Sequence, residues 1–113
     1  MNTISITGRL ARSPETKTTA TGTPVCELRI AVDDRDKTSF LPVVLYAKTA
    51  DTAAQYLTKG RLVGITGRLV NDEWTTSDGE RRSRLYIVGR TLDFLDTPRS
   101  DTPPVEDPDD DEQ

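Results

Sequence analysis

Residues 49–60 read TADTAAQYLTKG, and within them Ala50, Ala53, Ala54 and Leu57 recur at the spacing of one helical face. Gly60 follows where a C-terminal cap would sit. The spacing predicts one short amphipathic helix over residues 49–59, in a chain that otherwise alternates polar and apolar residues. Just before it, Leu41, Val43 and Leu45 fall on one face of a strand, with Phe40, Pro42, Val44 and Tyr46 on the other. Pro42 removes a ladder donor, which puts that position at an edge or a bulge. Just after it, Val63, Ile65, Gly67 and Leu69 alternate with Leu62, Gly64, Thr66 and Arg68 in a strand that runs toward Trp74.

Further out the same period continues. Ile4, Ile6, Gly8 and Leu10 alternate with Thr3, Ser5, Thr7 and Arg9 in a first strand, which Ser13-Pro14 stops. Cys26, Leu28, Ile30 and Val32 alternate with Val25, Glu27, Arg29 and Ala31 in a second, and residues 33–38 form a polar turn into the third. Asp78-Gly79 is a strong hairpin signal, and the fifth strand returns through Arg84, Leu85, Tyr86, Ile87 and Val88, with Gly89 at a bulge, to end near Phe94. The order β-β-β-α-β-β, with the helix between strands three and four, fits a five-stranded Greek-key barrel, the OB-fold, over residues 1–95. Gly8, Gly64, Gly67 and Gly89 suit the sharp coiling of such a barrel. ITGRL occurs at residues 6–10 and 65–69, most simply because two strands meet similar corners.

The chain's 113 residues allow one such domain. No apolar run reaches the roughly 18 residues of a membrane span, and the N-terminus lacks the pattern of a secretory leader, so a cytoplasmic protein is expected. With no histidine and a single cysteine, Cys26, the sequence excludes His-dependent triads, His–metal sites and disulfide or zinc frameworks. No phosphate-cradling glycine loop or carboxylate pair stands out, so neither an enzyme nor a cofactor is expected. Residues 96–113 carry eight acids against one arginine, or −7, which leaves residues 1–95 at +3 within a net charge of −4. Rich in proline and acids, with Val105 the one aliphatic, that end reads as a disordered acidic tail. A mildly basic body with an acidic end suits a polyanion-binding domain with an interaction tail.

If Leu41, Val43 and Leu45 fill the barrel, Phe40 and Tyr46 face outward, with Lys48 on the same parity beyond them. Trp74 stands on the hairpin arm beside Arg81, Arg82 and Arg84, with Arg68 on the strand leading to it. Aromatic rings beside cations suit a single nucleic-acid strand: each stacked base is worth roughly 1–3 kcal/mol, and Lys or Arg neutralises phosphates whatever the sequence. Taken one by one, the same residues have plainer uses. Phe40 and Tyr46 can pack under a loop or a second subunit, the arginines can be a solvated face, and Lys59 can complement the helix dipole. An OB-fold accessory protein of primosomal type, with aromatics at subunit interfaces and an acidic tail that docks partners, therefore stands as the alternative.

At these residues the sequence resembles the bacterial single-stranded DNA-binding protein family. The resemblance rests on GRLARSPE (8–15), GTPVCELRIAV (22–32), FLPVVLYAK (40–48), AQYLTKG (54–60) and VGITGRL (63–69) with its following Trp. It implies a homotetramer of OB-folds with single-stranded DNA wrapped over its outside, in the nucleoid, supporting replication, recombination and repair. It implies that Phe40, Tyr46 and Trp74 stack on bases and that Lys48 and Lys59 contact phosphates. The chain departs from the family in three places. The link DDRDKT (33–38) replaces a long basic loop, Glu73 precedes Trp74 where a base is usual, and the tail ends in DDDEQ. The family's tail commonly recruits DNA-processing proteins through a hydrophobic tip with an aromatic, which this ending lacks.

Overall fold

Six strands and one helix make up the fold of the described residues. The computed structural model describes residues 1–96; the acidic tail expected beyond lies outside the described residues. In chain order the elements are β1 (Ile4–Leu10), β2 (Glu15–Thr18), β3 (Pro24–Asp34), β4 (Lys37–Tyr46), α1 (Ala47–Tyr56), β5 (Leu62–Thr75) and β6 (Arg81–Phe94). The strands hydrogen-bond in the order β1-β5-β6-β4-β3-β2, and β1 also pairs with β3 through Arg9↔Ala31 and Leu10↔Ile30. That pairing closes β1, β5, β6, β4 and β3 into a five-stranded barrel with α1 between β4 and β5, which is the OB-fold arrangement.

The inward-facing residues fill the barrel as their alternation requires. Leu10, Cys26, Leu28, Ile30, Val43, Leu45, Val63, Ile65 and Ile87 are all buried, and α1 closes the core with Ala50 and Ala53. Burial pushes the Cys26 thiol above its ordinary value, with Glu27 adding to the shift, so the residue is a packed hydrophobe. Pro42 stands one residue before β4 begins its parallel pairing with β6 at Val43↔Ile87, so on that side β4 is an edge there. β5 and β6 slip register between Thr66 and Gly67, where Gly67 opposes Gly89 and Arg90 is the extra residue of a bulge. A Cβ on Gly67 would run into the Val88 carbonyl, and one on Gly89 into the buried Leu45 side chain; one on Gly64 would meet Leu95 at an ordinary 3.5 Å. Close approach of strands thus explains Gly67 and Gly89 and leaves Gly64 unexplained.

Four details differ from the sequence reading. β2 is an added sixth strand, exposed along its length, whose ladder partner is β3. The helix spans Ala47–Tyr56 instead of 49–59, because Leu57 turns extended and drops its side chain into the core. Gly60, at φ 92°, then serves the turn in which Arg61 N–H donates to Thr58 O, and does not cap the helix; Lys59 accordingly lies beyond the helix. Val44, placed on the outward row, is nonetheless buried, since Glu27 and Val88 flank it in register and cover a small branched side chain.

One charged group is buried that the pattern did not reveal. Arg61 donates from Nε to Asp96 Oδ1 (3.0 Å), from Nη1 to Tyr56 O (3.1 Å) and from Nη2 to Asp96 O (3.1 Å), and stacks 5.4 Å from the Phe94 ring centre. Arg9 reaches the same Asp96 carboxylate at 3.4 Å. Each of the three guanidinium nitrogens donates one hydrogen bond, so the buried charge is compensated, and the chain is tied down where it leaves the barrel.

Candidate nucleic-acid interface

Residues paired directly across strands point to the same side of a sheet, so the register assigns faces. With Val43 and Ile87 inside, the outer face receives Tyr46, Val44, Pro42 and Phe40 from β4, and Val25, Glu27, Arg29 and Ala31 from β3. From β6 it receives Val88, Tyr86, Arg84 and Arg82, and from β5 their partners Arg68, Val70, Asp72 and Trp74. Phe40, Tyr46 and Trp74 therefore share one face of one sheet, and each stays open to solvent at 49, 42 and 48% exposure.

The aromatic on the arm is held out by the hairpin. Thr76 N–H donates to Glu80 O (2.8 Å), Gly79 N–H donates to Thr76 O (3.0 Å), and Gly79 takes φ 88°, which is the left-handed residue this turn requires. The Thr76 hydroxyl donates to Asp78 and holds its carboxyl below the ordinary value. At the other end, Ala47 takes φ 56° directly after Tyr46, a left-handed kink that turns strand into helix and carries Lys48 onto α1.

Of the cations expected at the site, Arg68, Arg82 and Arg84 join the aromatic face. Arg81 opposes Thr75 on the reverse face of the arm. Lys48 and Lys59 are exposed near the two ends of α1, which is roughly 15 Å long. Among the described residues, Lys48, Lys59 and Arg68 have no carboxylate within ion-pair distance, whereas Arg81 pairs with Glu73 (3.2 Å), Arg82 with Glu80 (2.8 Å) and Arg84 with Glu27 (3.8 Å). No group of three or more His, Cys, Asp or Glu suited to a metal ion occurs among the described residues.

Two residues of this face were passed over in the sequence. Arg29 enters the sequence reading only as an outward residue of the second strand, yet its guanidinium lies 5.4 Å from the Phe40 ring centre. Its outward parity on the second strand was readable, but its nearness to Phe40 needs the β3–β4 register. Tyr86 donates its hydroxyl to Asp72 (3.0 Å) and carries the Arg84 guanidinium 5.1 Å from its ring centre. Burial, then the hydrogen bond to Asp72, raises its phenol above the ordinary value.

A solvent-open row of three rings with arginines on the same face can hold unpaired nucleotides flat and neutralise their phosphates. The sequence pattern of the single-strand binding protein family matches residues 1–95. The chain is 38% identical over 103 residues to single-stranded DNA-binding protein 3 of Clostridium acetobutylicum, across 85% of this chain and 72% of that one. It is 37% identical over 110 residues to the single-stranded DNA-binding protein of Thermotoga maritima, across 89% and 78%. It is 41% identical over 98 residues to that of Thermus thermophilus, across 82% of this chain and 37% of the relative.

Proposed function

The chain belongs to the single-strand binding protein family, and on that premise we propose that it coats single-stranded DNA largely without regard to sequence. The observation that carries the reading is the set of three half-exposed rings on one sheet face. Phe40, Tyr46 and Trp74 stack on bases; Arg68, Arg82 and Arg84 meet phosphates from the same face, Lys48 and Lys59 from beside it, and Arg81, the most distant of them, reaches round from the reverse face of the arm. The protein acts as a binding module in the cytoplasm, on the nucleoid, in replication, recombination and repair. It works as a homotetramer, to which the reverse face of the arm contributes Leu69 and Leu85, 40 and 56% exposed in the single chain.

Titration with oligo-dT tests the reading, because Trp74 is the only tryptophan. Its fluorescence is expected to quench on binding, with an affinity that falls as salt rises. No quench and no mobility shift at high micromolar protein would remove it.

A further inference from the structure

The cations of the aromatic face divide into two kinds. Arg68 has no carboxylate within reach among the described residues, while Arg82 and Arg84 are already engaged. Arg82 Nη2 donates to Glu80 Oε1 at 2.8 Å, and both side chains are about 60% exposed. Glu27 sits among the outward residues of β3, its side chain 20% exposed, and is shared by Arg84 at 3.8 Å and Lys17 at 3.3 Å. Parity puts Glu80 on the same side of the arm as Arg82 and Trp74. These carboxylates therefore stand within the surface the nucleic acid would cover.

We infer that Glu27 and Glu80 are built-in counter-ions of the nucleic-acid face, holding Arg84 and Arg82 in pairs that DNA phosphates must displace. The inference rests on the proposed single-stranded DNA binding. An arginine and its glutamate together carry no net charge, so presenting the pair to a phosphate neutralises nothing. When the guanidinium moves to the phosphate, the carboxylate left beside the strand retains a cation and cancels the release that normally drives binding. The exchange stays possible because the exposed Arg82–Glu80 pair is weak and the Arg84–Glu27 contact is long, at 3.8 Å. Affinity is thereby set below what the count of arginines suggests, and a bound strand is easier to strip off.

The test is oligo-dT binding by the full chain across a salt series. Glu80→Gln and Glu27→Gln are each expected to tighten binding at low salt about two- to fivefold. Each is also expected to steepen the slope of log K against log salt by up to about 0.7, the value for one phosphate of a single strand. Glu73→Gln, which frees Arg81 on the reverse face of the same arm, is expected to gain less. Arg82→Gln is expected to cost more in the Glu80→Gln background than in the parent, since the pair masks Arg82 there. Parent-like affinity and slope in Glu80→Gln, an equal gain in Glu73→Gln, or an additive Arg82–Glu80 cycle would overturn the inference while the parent still binds. Failure of the parent to bind would remove the proposed function itself. Glu80 is on the open arm, so its substitution leaves folding aside, and it decides the matter if Glu27→Gln proves unstable.

Discussion

Trp74 opposes Arg82 across the hairpin, with nothing above its ring but solvent on nearly half its surface. Replacing it with Ala is expected to weaken oligo-dT binding by about 1–3 kcal/mol, measured by anisotropy of a labelled strand, with thermal stability unchanged because no core contact is lost. Tyr86 behaves differently, being half-buried and hydrogen-bonded to Asp72. A phenol raised in the folded state contributes stability that is whole below the unfolded value, near 10, and lost as pH climbs through the folded one. Difference absorbance against Tyr86→Phe is expected to show one phenol ionising late, and unfolding free energy to fall at high pH more steeply in the parent than in the variant. At this scale Phe40 and Tyr46 are legible as outward rings from strand parity, and Trp74 from its place on the Asp-Gly hairpin arm. The roles of Arg29 and Arg61 are not, because a cation over a neighbouring ring, or one threaded into a carbonyl and carboxylate cage, is a relation between distant segments.

The elements owe their shapes to pairing as much as to pattern. Strands with a buried face announced themselves by period two, and the Asp-Gly turn marked the arm. β2, with residues ETKT all facing solvent, has no inward row to betray it and exists because β3 offers an edge. Helix ends were misjudged for a similar reason: burying Leu57 outweighs continuing the helix by one more turn. The glycines allow a direct measurement. Gly67→Ala is expected to destabilise by roughly 2–3 kcal/mol in urea unfolding, as overpacking against the Val88 carbonyl forces the bulged strands apart. Gly64→Ala, with room beside Leu95, is expected to cost under about 1 kcal/mol, and equal losses would show that strand propensity, not closeness, matters at both sites.

For the molecule as a whole, charge and assembly set behaviour. Residues 97–113 hold seven acids and one arginine, so a chain ended after Asp96, which keeps the Arg61 cage, is expected to bind oligo-dT more tightly at low ionic strength and equally at high. Equal affinity at both would reduce that segment to a docking or solubilising role. Leu85→Asp is expected to lower the assembly mass in light scattering, because it puts a charge on the reverse face of the arm, while each subunit keeps its Trp74 quench. Loss of quench with intact mass would move the nucleic acid to that face.

Local chemistry was enough to name the barrel, its single helix, its hairpin and the outward rings, since a two-residue period and a positive-φ glycine are written within a few consecutive positions. Which rings share a side, which arginines are free and which are already matched by a carboxylate depended on register between strands as much as 57 residues apart, as Arg84 is from Glu27. An ion pair is a property of two positions in space. Only closure of the barrel brings such positions together.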